Sequence, residues 1–150
     1  MNGIPVSVAP PTAEGRLYPR YQNSIGILTL STNPPRPCPF GINIDGTLIL
    51  DFDEGRVLAG VELVLPMSRW KGKASTSPPV GSAGNLLLTT ARQTSAEYAW
   101  PITVSKNGQT GAARIAFGGG DYNRPITLSE TCSALLLDDQ LTGFWFTLGH

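Results

Sequence analysis

Short apolar runs separated by glycine, proline, asparagine and aspartate follow one another along the chain, a pattern typical of strands joined by turns. Residues 24–31 (SIGILTLS) are apolar and end near Pro34 and Pro35, where the missing N–H interrupts a sheet. Residues 42–44 alternate in polarity and lead into Asp45-Gly46, a dipeptide that favours a type I′ hairpin turn. Further runs of this kind occupy residues 47–52, 57–65, 86–90, 98–104 and 112–117.

Helical patterns are nearly missing from the sequence. The one segment of helical composition, residues 89–98, is rich in threonine and serine, which favour strands or helix caps over helix interiors. The sequence therefore predicts an all-β protein.

Two segments of the chain, one in its first half and one at its C-terminal end, have the pattern of the same hairpin. Residues 48–65 are LILDFDEGRVLAGVELVL and residues 133–148 are SALLLDDQLTGFWFTL. A two-residue deletion in the second turn aligns Phe52 with Leu137, Asp53 with Asp138 and Gly60 with Gly143.

The repeat predicts the domain organisation. We expect a first β repeat in residues 1–69, a linker rich in Gly, Pro and Ser in residues 70–85, and a second repeat in residues 86–150. Neither unit can bury its apolar face alone. The expected fold class is therefore two pseudo-repeated antiparallel β units packed as a single sandwich or barrel.

The segment GTLILDFDEGRVLAGVEL resembles a small bacterial β-rich domain family of unknown function. Members of that family carry an apolar strand, an acidic turn, and a glycine–arginine step into a glycine–aliphatic–glutamate strand. The matching residues here are Asp51, Asp53, Gly55, Arg56, Gly60, Val61 and Glu62. The resemblance covers residues 24–65 and, more faintly, 112–148, where Trp145 stands in place of Glu62. It implies tandem copies of a compact β-rich unit and no particular activity.

Composition and charge narrow the possible partners. Eleven basic residues balance eleven acidic ones in 150 residues, so no basic face for nucleic acid is expected. The longest apolar runs fall far short of the ~18 residues that span a membrane. The start of the chain lacks the basic and apolar regions of a secretory signal, so a cytoplasmic location is expected.

The densest group of acidic residues is Asp51, Asp53 and Glu54. It lacks the loop of oxygen ligands of a calcium site, and neighbours in one turn cannot face each other across a glycosidase cleft. Acidic residues of this kind favour turns because their side chains bond their own backbone. We therefore interpret the group as turn-forming.

Candidate reactive groups are few. His150, the only histidine, is the last residue, where it makes a poor general base or metal ligand. Cys38 and Cys132 lie far apart in the sequence and are either paired or two buried thiols. The sequence thus predicts no catalytic residue, no metal site, no cofactor and no enzymatic activity.

The candidate partner-binding residues are Arg69, Trp70, Lys71 and Trp145. Arg69, Trp70 and Lys71 form a basic patch around an aromatic residue, and tryptophan and arginine dominate interface hot spots. In the alternative interpretation Trp70 packs back onto the sandwich and the basic residues around it are merely solvated.

We expect a non-catalytic protein-binding domain, of the kind that immunity proteins and antitoxins represent, with a toxin as one candidate partner. A small-ligand-binding sandwich or barrel, with an apolar ligand near Tyr98, Trp100 and Trp145, is one alternative. The other is a structural subunit that forms a homo-oligomer through its sheet edges.

Overall fold

The computed structural model describes residues 3–74, 77–89 and 95–148. Within these ranges the chain forms fourteen β-strands, two 3₁₀ turns (Ala13–Gly15 and Met67–Arg69) and no α-helix. The strands build two sheets that pack face to face. The prediction of an all-β fold is confirmed.

The first sheet contains six strands, which are β2 (Tyr18–Gln22), β3 (Ile27–Ser31), β4 (Phe40–Ile44), β5 (Leu48–Phe52), β6 (Leu58–Val64) and β9 (Ser95–Tyr98). The second sheet contains eight, which are β1 (Ile4–Ala9), β7 (Ser82–Ala83), β8 (Asn85–Leu88), β10 (Ile102–Lys106), β11 (Ala112–Phe117), β12 (Arg124–Ser129), β13 (Cys132–Leu137) and β14 (Gln140–Thr147). The spatial order is β2-β3-β6-β5-β4-β9 in the first sheet and β10-β11-β14-β13-β12-β7 in the second, where β1 pairs with β14 and β8.

Five consecutive strands follow the same path in each sheet, β2 to β6 in the first and β10 to β14 in the second. A short parallel strand then extends the edge of each sheet. It pairs with the strand that comes third in chain order within each set, β9 with β4 and β7 with β12. The last hairpin of each set is interrupted by a register shift, after Asp51 in the first sheet and after Leu135 in the second. In the registers just before these shifts Asp51 pairs with Gly60 and Leu135 pairs with Gly143.

These registers place Gly60 and Gly143 in corresponding positions, as the sequence alignment has them. Beyond the shift, Phe52 pairs with Leu58 and Leu136 pairs with Leu141. The structural counterpart of Phe52 is therefore Leu136, one residue before the Leu137 of the sequence alignment. The difference arises because the irregular register absorbs a residue that the alignment assigned to the turn.

A two-stranded ribbon of β1 and β8 joins the two sheets. Val6 lies opposite Leu88 in this ribbon. The amide of Val6 donates to the carbonyl of Asp139 at 2.9 Å, and the amide of Leu88 donates to the carbonyl of Arg56, also at 2.9 Å. Asp139 and Arg56 both lie in the turn that precedes the last strand of their set, so the ribbon makes matching contacts with both sheets.

The sheets do not divide the chain where the sequence suggested a linker. Strand β1 precedes the first five-strand set yet pairs within the second sheet, whereas β9 follows residues 70–85 yet pairs with β4 of the first. The 70–85 segment itself contains β7 and the start of β8. Backbone pairing thus ties the two halves together.

One contiguous core fills the space between the sheets. Inward-facing residues alternate with outward-facing ones along β5, and the aromatic side chains of Phe52, Phe117, Phe144 and Phe146 are all at most 1 % exposed. A second, smaller cluster of Ala112, Leu135 and Trp145 is also buried. Its members alternate with core residues of β11, β13 and β14, so they lie on the outer face of the second sheet.

Candidate functional site

The outer face of the first sheet carries a shallow hollow built around two carboxylates. Cross-strand neighbours across β3, β6, β5 and β4 form two rows, Thr29–Glu62–Ile49–Asn43 and Ser31–Gly60–Asp51–Gly41. We name the hollow the acidic groove; Asp51, Gly60, Glu62, Thr29 and Ser31 line it, with Arg36 and Cys38 from the segment between β3 and β4. Its volume is about 190 Å³.

Glycines on both sides of Asp51 keep the groove open. A Cβ atom at Gly60 would lie 3.6 Å from the Cβ of Asp51, and one at Gly41 would lie 3.6 Å from its Oδ1. These are ordinary van der Waals distances, so packing does not require glycine at either position. The missing side chains instead leave space beside the carboxylate.

The carboxylates of the acidic groove lack a countercharge. Arg36 lines the groove, but its guanidinium donates to the Asp53 carboxylate and to the Glu14 carbonyl. No described residue gives Asp51 or Glu62 a hydrogen bond or an ion pair. Burial raises the pKa of Asp51, and the negative charge of Glu62 raises it further. The folded protein therefore holds the charged form of Asp51 at a cost.

Replacing Asp51 with asparagine is expected to raise the melting temperature at pH 7. Because the folded-state pKa of Asp51 lies above its unfolded value, the folded state binds more protons between the two, and its stability falls as the pH rises through the folded pKa. Asp51→Asn removes the titrating carboxyl group and with it this loss of stability. Below the ordinary aspartate pKa of 3.8 the Asp51 carboxyl is neutral in both the folded and the unfolded protein, so the variant is no longer more stable than the wild type.

Thermal unfolding at several pH values measures this effect. Asp139→Asn, in an exposed turn, is the matched control and is expected to leave the melting temperature unchanged. A lower melting temperature for Asp51→Asn at pH 7 would show that the carboxylate stabilises the fold.

The two cysteines are separate thiols, which answers the question that the sequence left open. Cys38 is half-buried beside the acidic groove, whereas Cys132 is 1 % exposed in β13. Burial raises the pKa of both thiols, and the charges of Asp51 and Asp53 raise that of Cys38 further. Because the thiolate is the reactive form, both thiols are poor nucleophiles in the folded state.

We expect a thiol reagent to modify one cysteine slowly in the native protein and two in the unfolded protein. The slow native reaction belongs to Cys38 because the reagent cannot reach Cys132. Colorimetric thiol titration measures both counts, and Cys38→Ser should reduce the native count to none. Rapid modification of two thiols in the native protein would contradict the burial of Cys132.

The structure separates the four residues that the sequence proposed for partner binding. Arg69 and Lys71 are exposed. Trp70 is 6 % exposed and its ring contacts Tyr21 and Phe146 edge-on, as the alternative interpretation had it. Trp145 is 5 % exposed on the outer face of the second sheet. Only Arg69 and Lys71 therefore present their side chains to a partner.

Two of the aromatic residues proposed near a small ligand, Tyr98 and Trp100, are half-buried, and Tyr98 also lines a surface hollow of about 410 Å³. Tyr98 stacks on Trp100 with ring centroids 4.3 Å apart, and Trp100 lies parallel to Phe117 at 6.4 Å. Trp145 alternates with the inward-facing Phe144 and Phe146 and so points away from this stack.

The sequence interpreted Asp51, Asp53 and Glu54 as turn-forming, and the structure places Asp53 and Glu54 in the turn between β5 and β6. The Oδ1 atom of Asp53 accepts a hydrogen bond from the amide of Val57 at 2.9 Å. Asp51 instead lies in β5 and faces outward. The signal for the groove is the pairing of Asp51 with Gly60, which appears only once the register is known.

Sequence comparison adds no relative from which a function could be transferred. No protein-family model matches the chain, and no curated protein shows a significant match. Among the described residues, no three His, Cys, Asp or Glu side chains converge on a metal position, and His150 lies outside those residues. The described part of the chain contains no helix long and apolar enough to cross a membrane.

Proposed function

We propose that this protein is a non-catalytic protein-binding domain whose partner docks on the outer face of the first sheet. The observation that carries the proposal is the pair of carboxylates, Asp51 and Glu62, that lies uncompensated on an open sheet face. Burying like charges without a countercharge destabilises a protein, and such a loss of stability is typical of functional sites.

The second sheet carries buried apolar residues where the first sheet carries the two carboxylates. Its residues at the positions of Asp51 and Glu62 are Leu135 and Trp145, which are buried with Ala112. The outer face of the second sheet is thus closed at these positions by its own apolar side chains. The first sheet leaves the same positions open and charged, which favours it as the binding face.

The packed interior argues against the small-ligand alternative. The largest buried side chains, including Phe52, Phe117 and Phe144, fill the space between the sheets. Binding an apolar ligand there would require these residues to move apart, with the loss of their packing energy. A surface interaction needs no such rearrangement.

An immunity or antitoxin role in a bacterial cytoplasm is the specific form of this proposal. Inhibition by docking requires a rigid surface and no reactive group, and a packed all-β sandwich provides such a surface. We further propose that the two five-strand sets are copies of one β unit. Their common strand order, the matching register shifts and the paired contacts of Val6 and Leu88 support this.

A pull-down with the tagged full-length chain, from a lysate of its own source, tests the proposal. The wild type is compared with Glu62→Lys, which reverses a charge on the binding face, and with Glu54→Lys, which makes the same change in an exposed turn. We expect one stoichiometric protein to bind the wild type and Glu54→Lys and to be lost with Glu62→Lys.

Other outcomes would overturn the proposal in distinct ways. A partner that Glu62→Lys retains would place the binding surface elsewhere. A co-purifying small molecule would favour the ligand alternative, and self-association alone would favour the homo-oligomer. Toxicity of the captured protein when it is expressed without this chain would support the immunity role.

A further inference from the structure

We propose, resting on the proposed function, that the partner inserts an arginine side chain into the acidic groove between Asp51 and Glu62. The groove combines two carboxylates with an open space on a sheet face, and charge complementarity identifies a basic group as its occupant.

The backbone positions of Asp51 and Glu62 suit the binding of a guanidinium group. Asp51 pairs with Gly60, and Glu62 lies two residues further along β6, so the acidic residues are diagonal neighbours on one face. Diagonal neighbours on adjacent strands are about 7–8 Å apart, within reach of long side chains. A guanidinium carries five N–H donors in a planar fork and can bond both carboxylates at once.

The groove has space for a side chain that enters from outside. Gly60 contributes no side chain between the two carboxylates, and a Cβ at this position would meet nothing closer than 3.6 Å. At Gly143, the corresponding position of the second sheet, a Cβ would lie 2.2 Å from the carbonyl oxygen of Ile115. Close backbone packing thus requires glycine at position 143 of the second sheet but not at position 60 of the first. At Gly60 the missing side chain instead keeps the groove open.

The electrostatics of the groove favour a cation from the partner. Arg36 is the basic residue that lines the groove, and its two terminal nitrogens donate to the Asp53 carboxylate and the Glu14 carbonyl. Its buried Nε has no hydrogen-bond partner among the described residues. An incoming arginine would supply the countercharge that Asp51 and Glu62 lack. Arginine is more weakly hydrated than lysine, so it is the side chain of choice for partly buried ion pairs.

Titration of the isotope-labelled full-length protein with hexa-arginine, followed by NMR, tests the inference. We expect saturable shifts centred on Gly41, Asp51, Gly60 and Glu62, and no such shifts with hexa-citrulline, which has the same shape without the charge. Asp51→Asn and Glu62→Gln should each weaken binding at least tenfold, whereas Glu54→Gln should leave it unchanged. Hexa-lysine should bind more weakly than hexa-arginine.

Asp51→Asn also separates binding from folding, because it is expected to stabilise the fold while it weakens binding. Shifts spread over every acidic side chain, or equal affinities for Asp51→Asn and Glu54→Gln, would overturn the inference. If hexa-arginine fails to bind the groove while Glu62→Lys still loses the lysate partner, the docking face stands and the arginine inference falls. Binding of hexa-arginine in the groove, with the partner retained by Glu62→Lys, would refute the docking face instead.

Discussion

Replacing Trp70 with alanine is expected to lower the free energy of unfolding by about 3–5 kcal/mol, the cost of truncating a large buried aromatic residue. Its ring centroid lies 5.7 Å from that of Tyr21 and 6.2 Å from that of Phe146, so it links the first sheet to the second. Its Nε1 donates to the carbonyl of Leu65 at 2.9 Å. The alanine variant loses both the packing and the partner of this carbonyl.

Urea denaturation of the full-length protein measures this loss. The controls are Arg69→Ala and Lys71→Ala, whose exposed side chains should change the unfolding free energy by less than about 0.5 kcal/mol. Trp70→Phe should fall in between because it keeps an aromatic ring but loses the N–H donor. A Trp70→Ala variant as stable as the wild type, yet unable to bind the partner, would show that Trp70 acts in recognition.

Gly143→Ala is expected to destabilise the protein by roughly 1–3 kcal/mol or more, the range for an overpacked core. The added Cβ would lie 2.2 Å from the carbonyl oxygen of Ile115 and 3.3 Å from its carbonyl carbon. These atoms belong to the backbone of the neighbouring strand, so they cannot turn away as a flexible side chain would. Strands β11 and β14 must separate locally to admit the methyl group.

Gly60→Ala is the matched control, since Gly60 occupies the corresponding position in the first sheet. Its Cβ would meet Asp51 at 3.6 Å, so the expected change in stability is small. Thermal and urea unfolding of the two variants measure the difference. Equal destabilisation by both substitutions would mean that the two glycines have the same structural role, and would remove the argument that Gly60 serves the groove.

Local sequence patterns were sufficient to predict the class of fold. Alternating apolar residues and dense turn signals act over a few residues, and strands β3, β4, β5, β6 and β11 formed where they occur. Residues 98–104, expected as one strand, are instead divided between β9 of the first sheet and β10 of the second. Asp45 and Gly46 both adopt positive φ, as expected for their predicted type I′ turn. The correspondence of Gly60 with Gly143 was likewise visible in the sequence because an apolar run follows each glycine, residues 61–65 in the first case and residues 144–148 in the second.

The exchange of strands between the sheets could not be predicted in this way. Strand β1 pairs within the second sheet and β9 with the first, and short strands carry no sequence signal for which neighbour they join. The burial of Trp70 and Trp145 is also a tertiary result. A tryptophan in a basic segment or an aromatic strand has the same sequence pattern whether its ring faces the solvent or a neighbouring side chain.

The acidic groove shows most clearly which features follow from local sequence and which depend on strand pairing. Local sequence features predict that Asp51 and Glu62 belong to one hairpin, because acidic residues and glycine between apolar runs mark its turn. Their pairing with neighbouring strands, in contrast, establishes that Asp51 faces outward, that Gly60 leaves open space beside it, and that Arg36 donates to Asp53. Each of these depends on which strands pair and in which register. Pairing of this kind is set by the packing of the whole sandwich, because a shift of one residue would move every side chain to the opposite face.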